Sequence, residues 1–160
     1  MNQSKGGAES GLPLDVSTGA SAPPTVYTGG TFDIFHVGHV RLFKQCKKLG
    51  RVVVALNTDE FIERYKGEHP IVPFWARKET LLSCKYVDEV ITNESGEDSK
   101  PTILEVEPDF IVIGSDWKER DYFSQMNFTQ EWLNEHGIQL IYVPYTVGIS
   151  SSQLRKYICD

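Results

Sequence analysis

The chain has 160 residues and a mass of 18.1 kDa, the size of one ordinary domain, and its 40% hydrophobic and 24% charged residues are typical of a globular protein. Its 16 Lys and Arg against 22 Asp and Glu give a formal net charge of −6, so we expect no nucleic-acid or membrane partner, because the chain as a whole repels polyanions. The sequence contains neither a run of roughly 20 apolar residues nor a basic region followed by an apolar one at its start, so we expect a cytoplasmic protein.

Residues 1–24 are rich in Gly, Pro, Ser and Ala and contain no aromatic residue. A segment of this composition buries little apolar surface, which predicts a flexible N-terminal extension. Aromatic and aliphatic residues recur regularly from Tyr27 onward, which places the expected domain at residues 25–160.

Short β-branched runs alternate along this domain with segments of helical periodicity. Runs typical of buried strands occupy residues 26–28, 51–56, 87–91, 110–113 and 139–143. Helical patterns occupy residues 38–49, 75–83, 102–107, 129–136 and 150–158. Because strands that alternate with helices form parallel sheets, the order predicts an α/β fold, a Rossmann-like, doubly wound parallel five-stranded sheet with helices on both faces.

The loop after the first predicted strand is a candidate ligand site, because open parallel sheets bind ligands at the carboxyl ends of their strands. Residues 28–39 read TGGTFDIFHVGH. Gly29 and Gly30 permit a close approach of the backbone, and Gly38 leaves room at the start of the next helix. His36 and His39 are three residues apart at that helix start, so both imidazoles can face the same side. Two nitrogen donors beside a helix N-terminus suit a phosphate group.

Other classes of site are weakly supported. The loop contains neither the GxGxxG pattern of a dinucleotide site nor the GxxxxGK[ST] pattern of a P-loop. No third metal ligand accompanies the two histidines, and Cys46, Cys84 and Cys159 are too widely spaced for a zinc site or a disulfide framework. We therefore expect no protein-bound metal and three reduced thiols.

The segment GTFDIFHVGH resembles the GTFDxxHxGH signature of the cytidylyltransferase-like nucleotidyltransferases. Other segments match the family in the same order: NTDEF, Lys66 before a glycine, Arg77 within WARKETL, KYVDEVI, GSDW at 114–117 and GISSS at 148–152. The resemblance covers residues 26–158. Within the family it is strongest to the bacterial glycerol-3-phosphate cytidylyltransferases, and the phosphocholine and phosphoethanolamine cytidylyltransferases and archaeal FAD synthetases are also similar.

The resemblance implies a reaction in which a phosphate oxygen of a small phosphorylated alcohol, first of all glycerol 3-phosphate, attacks the α-phosphorus of CTP. Pyrophosphate leaves, and Mg²⁺ screens the triphosphate. Because the attacking phosphate is already anionic near neutral pH, catalysis depends on positioning and on neutralising charge in the transition state. The catalytic residues implied are His36, His39, Lys66 and Arg77, with His39 nearest the reacting phosphorus, Lys66 between the phosphates of both substrates and Arg77 near the acceptor phosphate.

The resemblance also implies a nucleotide site made of three segments. GSDW lies against the base, where Asp116 accepts a hydrogen bond from the amino group of cytosine, and GISSS holds the β- and γ-phosphates. The nucleotide-binding residues implied are Thr28, Gly29, Gly30, Thr31, Phe32, Asp33, Gly38, Gly114, Asp116, Trp117, Gly148, Ile149, Ser150 and Ser151.

Two positions depart from the bacterial pattern. Tyr145 stands where the bacterial relatives have an arginine that helps to bind the triphosphate, and Ser115 stands where they commonly have an aspartate. Losing a charge-assisted contact costs about 1.5 to 3 kcal/mol unless another cation, such as Arg155 or Arg120, reaches the site. Two alternatives therefore stay open: an adenylyltransferase that uses ATP, as an FAD synthetase does, and a nucleotide-binding protein with weak or no turnover.

The resemblance also bears on assembly. Members of the family are usually dimers, so we expect a homodimer. Phe74 and Trp75 are the apolar residues that we expect to be exposed for such an interface.

Overall fold

The structure, a computed structural model, describes residues 22–118 and 121–159, so most of the predicted extension lies outside the described residues. The strands are β1 (Thr25–Gly30), β2 (Arg51–Asn57), β3 (Glu89–Asn93), β4 (Phe110–Gly114) and β5 (Gln139–Val143). The helices are α1 (Val37–Leu49), α2 (Asp59–Lys66), α3 (Phe74–Leu82), α4 (Lys100–Val106), α5 (Tyr122–Met126), α6 (Gln130–Glu135) and α7 (Ser151–Cys159). A short 3₁₀ helix follows β4 at Ser115–Lys118.

The five strands form one parallel sheet in the order β3-β2-β1-β4-β5, which confirms the predicted fold class. The chain builds the sheet outward from β1 to β3, then crosses back to place β4 on the other side of β1. The order of strands therefore reverses between β1 and β4. A crevice opens at such a switch point, outside the carboxyl ends of the strands.

Alternate residues of the buried strands enter two separate hydrophobic cores, one on each face of the sheet. On one face, Val52 and Val54 pack with Phe43 and Cys46 of α1 and with Leu81 of α3. The other face contributes residues that pack against α4, α5 and α6, namely Tyr27, Ala55, Ile111 and Ile113 from the strands with Ile103, Tyr122 and Leu133 from the helices. Burial on both faces explains why the strands read as continuous apolar runs.

Helix α2 was not predicted, although its capping signals are present in the sequence. Thr58 caps the helix, since its hydroxyl accepts a hydrogen bond from the N–H of Phe61 at 3.1 Å, and acidic residues occupy the first turn. Gly67 ends the helix in the left-handed conformation, at φ 75°. Only Phe61 and Ile62 are buried, so an eight-residue helix shows too little apolar periodicity to be recognised.

Most predicted boundaries differ from the observed ones by one or two residues, and two elements begin two residues away from their predicted start. The third strand begins at Glu89 instead of residue 87, because Val87 still belongs to a turn in which its N–H binds the carbonyl of Cys84. Helix α4 begins at Lys100 instead of residue 102, because Pro101 lies in its first turn, where proline is tolerated. Helix α5, of five residues, was not predicted.

The surface of α3 only partly matches the expected interface. Trp75 is 69% exposed, whereas Phe74 is half-buried and packs against the core, so Phe74 is not the exposed residue that we expected.

None of the described helices is both long and apolar enough to cross a membrane.

Arg77 of α3 lies inside the protein, only 2% exposed, and holds together the segments that form the cleft. Its guanidinium donates to the carbonyls of Val72 at 2.9 Å, Thr31 at 2.8 Å and Asn57 at 3.0 Å. It also pairs with the carboxylate of Asp59 at 2.5 Å. The loop after β1, the end of β2 and the loop before α3 are therefore joined through one side chain.

Replacing Arg77 with Met should lower the free energy of unfolding by about 3 to 5 kcal/mol, because three carbonyls and one carboxylate would lose their buried partner. Urea unfolding of the variant and of the wild type measures this difference. Lys78→Met, the neighbouring position on the same helix, is the matched control, with an expected change within about 0.5 kcal/mol. A comparably small loss for Arg77→Met would show that the guanidinium does not hold these segments.

Candidate active site

A cleft of about 340 Å³ opens at the carboxyl ends of the strands, where the order of strands reverses. The loop after β1, the start of α1, the end of β4 and the start of α7 all contribute to it. Most residues implied by the family resemblance meet there, and these are Gly29, Gly30, Thr31, Phe32, Asp33, His36, Gly38, His39, Lys66, Gly114, Asp116, Trp117, Ile149, Ser150 and Ser151.

Three of the implied residues do not line the cleft. Thr28 is fully buried within β1, paired with Val54 of β2, so its side chain is covered by the protein itself. Arg77 also points inward, because its donors are occupied by protein oxygens. Gly148 lies in the turn before α7 at φ 93°, where glycine avoids the strain that a side chain would bring.

His36 and His39 form a hydrogen-bonded pair at the N-terminus of α1. The Nδ1 atom of His36 accepts from the N–H of Gly38 at 3.0 Å, and the N–H of His36 donates to Nδ1 of His39 at 3.2 Å. Their rings stack with centroids 3.8 Å apart. A Cβ atom at position 38 would lie 2.7 Å from Cε1 of His36, so only glycine leaves the room that this ring needs.

These hydrogen bonds fix which nitrogen of each neutral ring carries the proton. Because Nδ1 of His36 and of His39 each accept a backbone N–H, the proton of each ring lies on Nε2, which is left as a donor. Burial lowers the pKa of His36, and burial together with the neighbouring His36 lowers the pKa of His39 to about 3. Near neutral pH the pair is therefore uncharged and presents two N–H donors.

Asp33 holds the loop that precedes the histidines. Its carboxylate accepts hydrogen bonds from the N–H groups of Ile34 at 3.0 Å, Ile71 at 2.7 Å and Val72 at 2.9 Å. Phe32 and Ile34, on either side of it, both have φ 49°, a conformation that is costly for large side chains and above all for a β-branched one. Asp33 therefore acts in the structure as the group that stabilises a strained loop.

The start of α7 closes another side of the cleft. The hydroxyl of Ser150 accepts from the N–H of Gln153 at 3.2 Å, which makes Ser150 the N-cap of the helix. The hydroxyl of Ser151 donates to the carbonyl of Asp33 and so joins this helix to the loop after β1. The N-terminus of a helix carries a partial positive charge that favours a bound anion.

The two positions that depart from the bacterial pattern contact each other. The N–H of Tyr145 donates to the hydroxyl of Ser115 at 3.0 Å, which links the segment after β5 to the 3₁₀ helix after β4. The carboxylate of Asp116 folds over Gly114, since a Cβ atom there would lie 2.7 Å from Oδ1. Trp117 lines the cleft and packs against Tyr122, with ring centroids 5.5 Å apart.

Arg155, one of the two cations considered as a replacement for the missing arginine, is not among the cleft-lining residues. It donates to the carbonyl of His69 at 3.0 Å and pairs with Glu68 at 3.3 Å, and its guanidinium lies 3.9 Å from the carboxylate of Asp33 at the edge of the cleft. Arg120 lies outside the described residues. Among the cleft-lining residues that the structure describes, Lys66 is the one formal cation. Any negative charge of a ligand that Lys66 does not neutralise would therefore be bound by neutral N–H and O–H donors.

The sequence analysis assigned no role to several polar residues that line the cleft, namely Asn57, which is the first residue of the NTDEF segment, and Asn93, Glu97 and Gln125. A signal for two of them was present. Asn57 and Asn93 are the last residues of β2 and β3, and parallel strands place their carboxyl ends at the same edge of a sheet. Glu97 and Gln125 come from loops and a short helix that no periodicity indicates.

Residues 22–118 and 121–159 contain no group of three or more His, Cys, Asp or Glu side chains arranged to hold a metal ion. Of the cleft carboxylates, Asp33 is occupied by backbone N–H groups and Glu97 pairs with Arg64 at 2.9 Å. The described residues therefore do not form a metal cage.

The lowered pKa of His39 predicts that stability depends on pH. Unfolded, this residue takes up a proton near pH 6.5, whereas in the folded protein it does so only near pH 3. As the pH falls from 6.5 towards 3, the unfolded state binds more protons, and the free energy of unfolding decreases by up to about 1.4 kcal/mol per pH unit from this residue. Urea unfolding at intervals between about pH 7 and pH 4 should give a smaller slope for His39→Asn, which does not titrate. Equal slopes for the two proteins would contradict the assignment.

Comparison with known proteins shows which family the chain resembles. The model of the cytidylyltransferase-like family matches residues 27–157. An FAD synthase from Thermococcus kodakarensis is 36% identical over 136 residues, which cover 83% of this chain and 88% of that protein. A glycerol-3-phosphate cytidylyltransferase from Bacillus spizizenii is 37% identical over 133 residues, which cover 82% of this chain and 94% of that protein.

A solved structure shows the same likeness. A lipopolysaccharide core biosynthesis protein from Thermoplasma volcanium is 33% identical to this chain and has a TM-score of 0.61, and the match covers 77% of this chain and 96% of that one. The family model spans all five strands from Tyr27 onward and the loop that carries the stacked histidines. The chain therefore belongs to the cytidylyltransferase-like family of nucleotidyltransferases.

Proposed function

We propose that the protein transfers CMP from CTP to a small phosphorylated alcohol, with glycerol 3-phosphate as first choice, and releases pyrophosphate. The observation that carries this proposal is the stacked pair of His36 and His39. It places two neutral Nε2–H donors at the N-terminus of α1, inside a cleft to which Lys66 adds a positive charge. Donors of this kind stabilise negative charge on phosphate oxygens without needing to give up a proton.

In the proposed reaction, a phosphate oxygen of the acceptor forms a bond to the α-phosphorus of CTP, and the bond from that phosphorus to the bridging oxygen of pyrophosphate breaks. Pyrophosphate leaves with the electron pair. The attacking oxygen is already anionic, so no side chain has to remove a proton. Nε2 of His39 and of His36 donate to oxygens of the triphosphate, and Lys66 neutralises charge shared between the two substrates.

Arg77 has a different part in this proposal from the one that the family resemblance implied. Its guanidinium is buried and occupied by Val72, Thr31, Asn57 and Asp59. We assign it the role of a positioning residue, which acts through the loop after β1 and does not touch a substrate.

The proposal also specifies which nucleotide base and which acceptor the cleft recognises. Asp116 and the backbone around Gly114 line the side of the cleft that we assign to the base, where Asp116 would accept from the amino group of cytosine. Adenine also carries an exocyclic amino group, and the FAD synthase relative supports an ATP-dependent transfer as the second candidate. Tyr145 stands in the place of an arginine, and this feature of the chain is the reason to keep the ATP-dependent transfer as a candidate.

We also propose that Mg²⁺ takes part, as an ion that enters with the triphosphate. Because no group of three or more metal-ligating side chains is found among the described residues, we propose that phosphate oxygens of the nucleotide supply most of the ligands of this ion. Separately, we propose that the protein forms a homodimer. Trp75, an exposed apolar residue of α3, is a candidate for its interface.

The direct test measures pyrophosphate release with CTP and Mg²⁺ for glycerol 3-phosphate, phosphocholine, phosphoethanolamine and FMN, repeated with ATP. We expect release with CTP and one acceptor, and loss of turnover by roughly two or more orders of magnitude in His39→Ala, because its Nε2–H serves the transition state. Release with ATP alone would establish the second candidate. Nucleotide binding with no release for any pair would overturn the proposed transfer.

Replacing Tyr145 with Arg tests whether a triphosphate contact is missing. The variant should bind CTP about 10- to 100-fold more tightly, because a charge-assisted hydrogen bond to phosphate contributes about 1.5 to 3 kcal/mol. Calorimetric titration with CTP measures the change, and Tyr145→Phe, which adds no charge, is the control. An affinity equal to that of the wild type would mean that the triphosphate does not reach this position or that its charge is already met elsewhere.

A further inference from the structure

A chain of side-chain hydrogen bonds runs along the carboxyl edge of the sheet and is not explained by the reaction described above. The hydroxyl of Thr102 donates to Oδ1 of Asn93 at 3.1 Å, and Nδ2 of Asn93 donates to Oδ1 of Asn57 at 3.0 Å. Nδ2 of Asn57 then approaches the hydroxyl of Thr31 at 3.4 Å. Ser95 joins the far end, with its hydroxyl 3.2 Å from that of Thr102.

This network fixes two primary amides at the cleft. Asn93 and Thr102 are buried, and Asn57 and Asn93 both line the cleft. Each of the two amides uses one N–H and one lone pair of its oxygen within the network, and so each keeps a second N–H and a second lone pair. A buried and connected network holds such groups in one orientation, which is what selective recognition needs.

The position of the pair identifies the substrate that it faces, and this step rests on the proposed function. The nucleotide is assigned to the side of the cleft formed by β4, the 3₁₀ helix and the start of α7. The acceptor is then left with the side formed by the ends of β2 and β3 and by α2, where Asn57, Asn93 and Lys66 lie. The amides therefore lie on the side of the cleft that is left for the acceptor, where they can meet its hydroxyl-bearing body.

The charges on this side do not suit an ammonium group. Glu97 is a carboxylate that lines the cleft, and it is paired with Arg64 through two contacts of 2.9 and 3.4 Å. Asp33 is occupied by three backbone N–H groups. Tyr122 also lines the cleft, and its buried hydroxyl has no hydrogen-bond partner among the described residues. Apart from Lys66, whose positive charge repels an ammonium group, the groups with remaining capacity are thus neutral donors and acceptors.

We propose that Asn57 and Asn93 are specificity-determining residues that select an acceptor whose phosphate is carried by a polyhydroxyl body over one that carries an ammonium group. Hydroxyl groups both donate and accept, which matches the one N–H and one lone pair that each amide has left. A site built to hydrogen-bond a hydroxyl discriminates strongly against an analogue that lacks it, because its polar groups would be left unpaired.

Steady-state kinetics of the full chain test the proposal with glycerol 3-phosphate and phosphoethanolamine, which are similar in size. Asn93→Leu should raise the KM for glycerol 3-phosphate by about 10-fold or more and leave the KM for the nucleotide within about 2-fold. Asn134→Leu, the same substitution on α6 outside the cleft, is the matched control and should change neither value. An equal rise in both KM values, or a change in kcat alone, would overturn the proposal.

Two further variants separate recognition from a merely structural effect. Thr102→Val removes the donor that orients Asn93 without touching a substrate, so it should also raise the KM for glycerol 3-phosphate, and Thr102→Ser should restore it. Asn93→Asp supplies a carboxylate and should lower the preference for glycerol 3-phosphate over phosphoethanolamine by about 10-fold. A wild type that prefers phosphoethanolamine, or an Asn93→Asp variant with an unchanged preference, would contradict the assignment.

A binding measurement distinguishes failure of this inference from failure of the proposed function. The side-chain amide resonances of Asn57 and Asn93 are identified in ¹⁵N-labelled protein by their loss in the Leu variants, and glycerol 3-phosphate or inorganic phosphate is added with CTP and without Mg²⁺. We expect shifts of both amides with glycerol 3-phosphate and not with inorganic phosphate. Shifts without turnover in the kinetic assay would leave this inference standing and overturn the transfer. Turnover without shifts, or neither, would overturn this inference.

Discussion

The site depends on one strained loop, the turn that leads from β1 to the stacked histidines. Phe32 and Ile34 both have φ 49°, which large side chains adopt only when their surroundings enforce it. Asp33 supplies part of that enforcement by accepting three backbone N–H groups, two of them from the loop before α3. Arg77 adds to it, because its guanidinium donates a hydrogen bond to the carbonyl of Thr31. A carboxylate and a guanidinium that the family pattern suggests as ligand contacts thus hold the backbone from which His36 and His39 project.

The fixed position of the two histidine rings also determines the electrostatics of the cleft. The hydrogen bonds that fix the two rings also direct their protons to Nε2, and their burial lowers both pKa values, so the pair works as neutral donors. Oriented neutral dipoles stabilise charge that develops in a reaction without attracting every anion in solution. This fits a chain with a formal net charge of −6 whose described cleft lining has Lys66 as its one cation.

The sequence predicts well what depends on local patterns and poorly what depends on distant partners. The parallel sheet follows from alternating apolar runs, and the histidine loop follows from glycines and histidines within twelve residues. The role of Arg77 does not follow from a local pattern, because the carbonyls that accept its hydrogen bonds lie up to 46 residues away along the chain. The amide network escapes prediction for the same reason, since Asn57 and Asn93 are 36 residues apart and meet only when β2 pairs with β3. The position of a proton on a ring nitrogen likewise has no sequence signal, because a backbone N–H decides it.

The contact between Ser115 and Tyr145 brings the two departures from the bacterial pattern side by side. An aspartate and an arginine at these positions would be neighbours, since the N–H of Tyr145 reaches the hydroxyl of Ser115 at 3.0 Å. Replacing both with uncharged residues removes one negative and one positive charge from the same edge of the cleft, so the local net charge is unchanged. The hydrogen bond between them joins the segments after β4 and β5. In the proposed reaction, the neutral donors of the cleft would carry the part of triphosphate binding that a charged arginine at position 145 would otherwise supply.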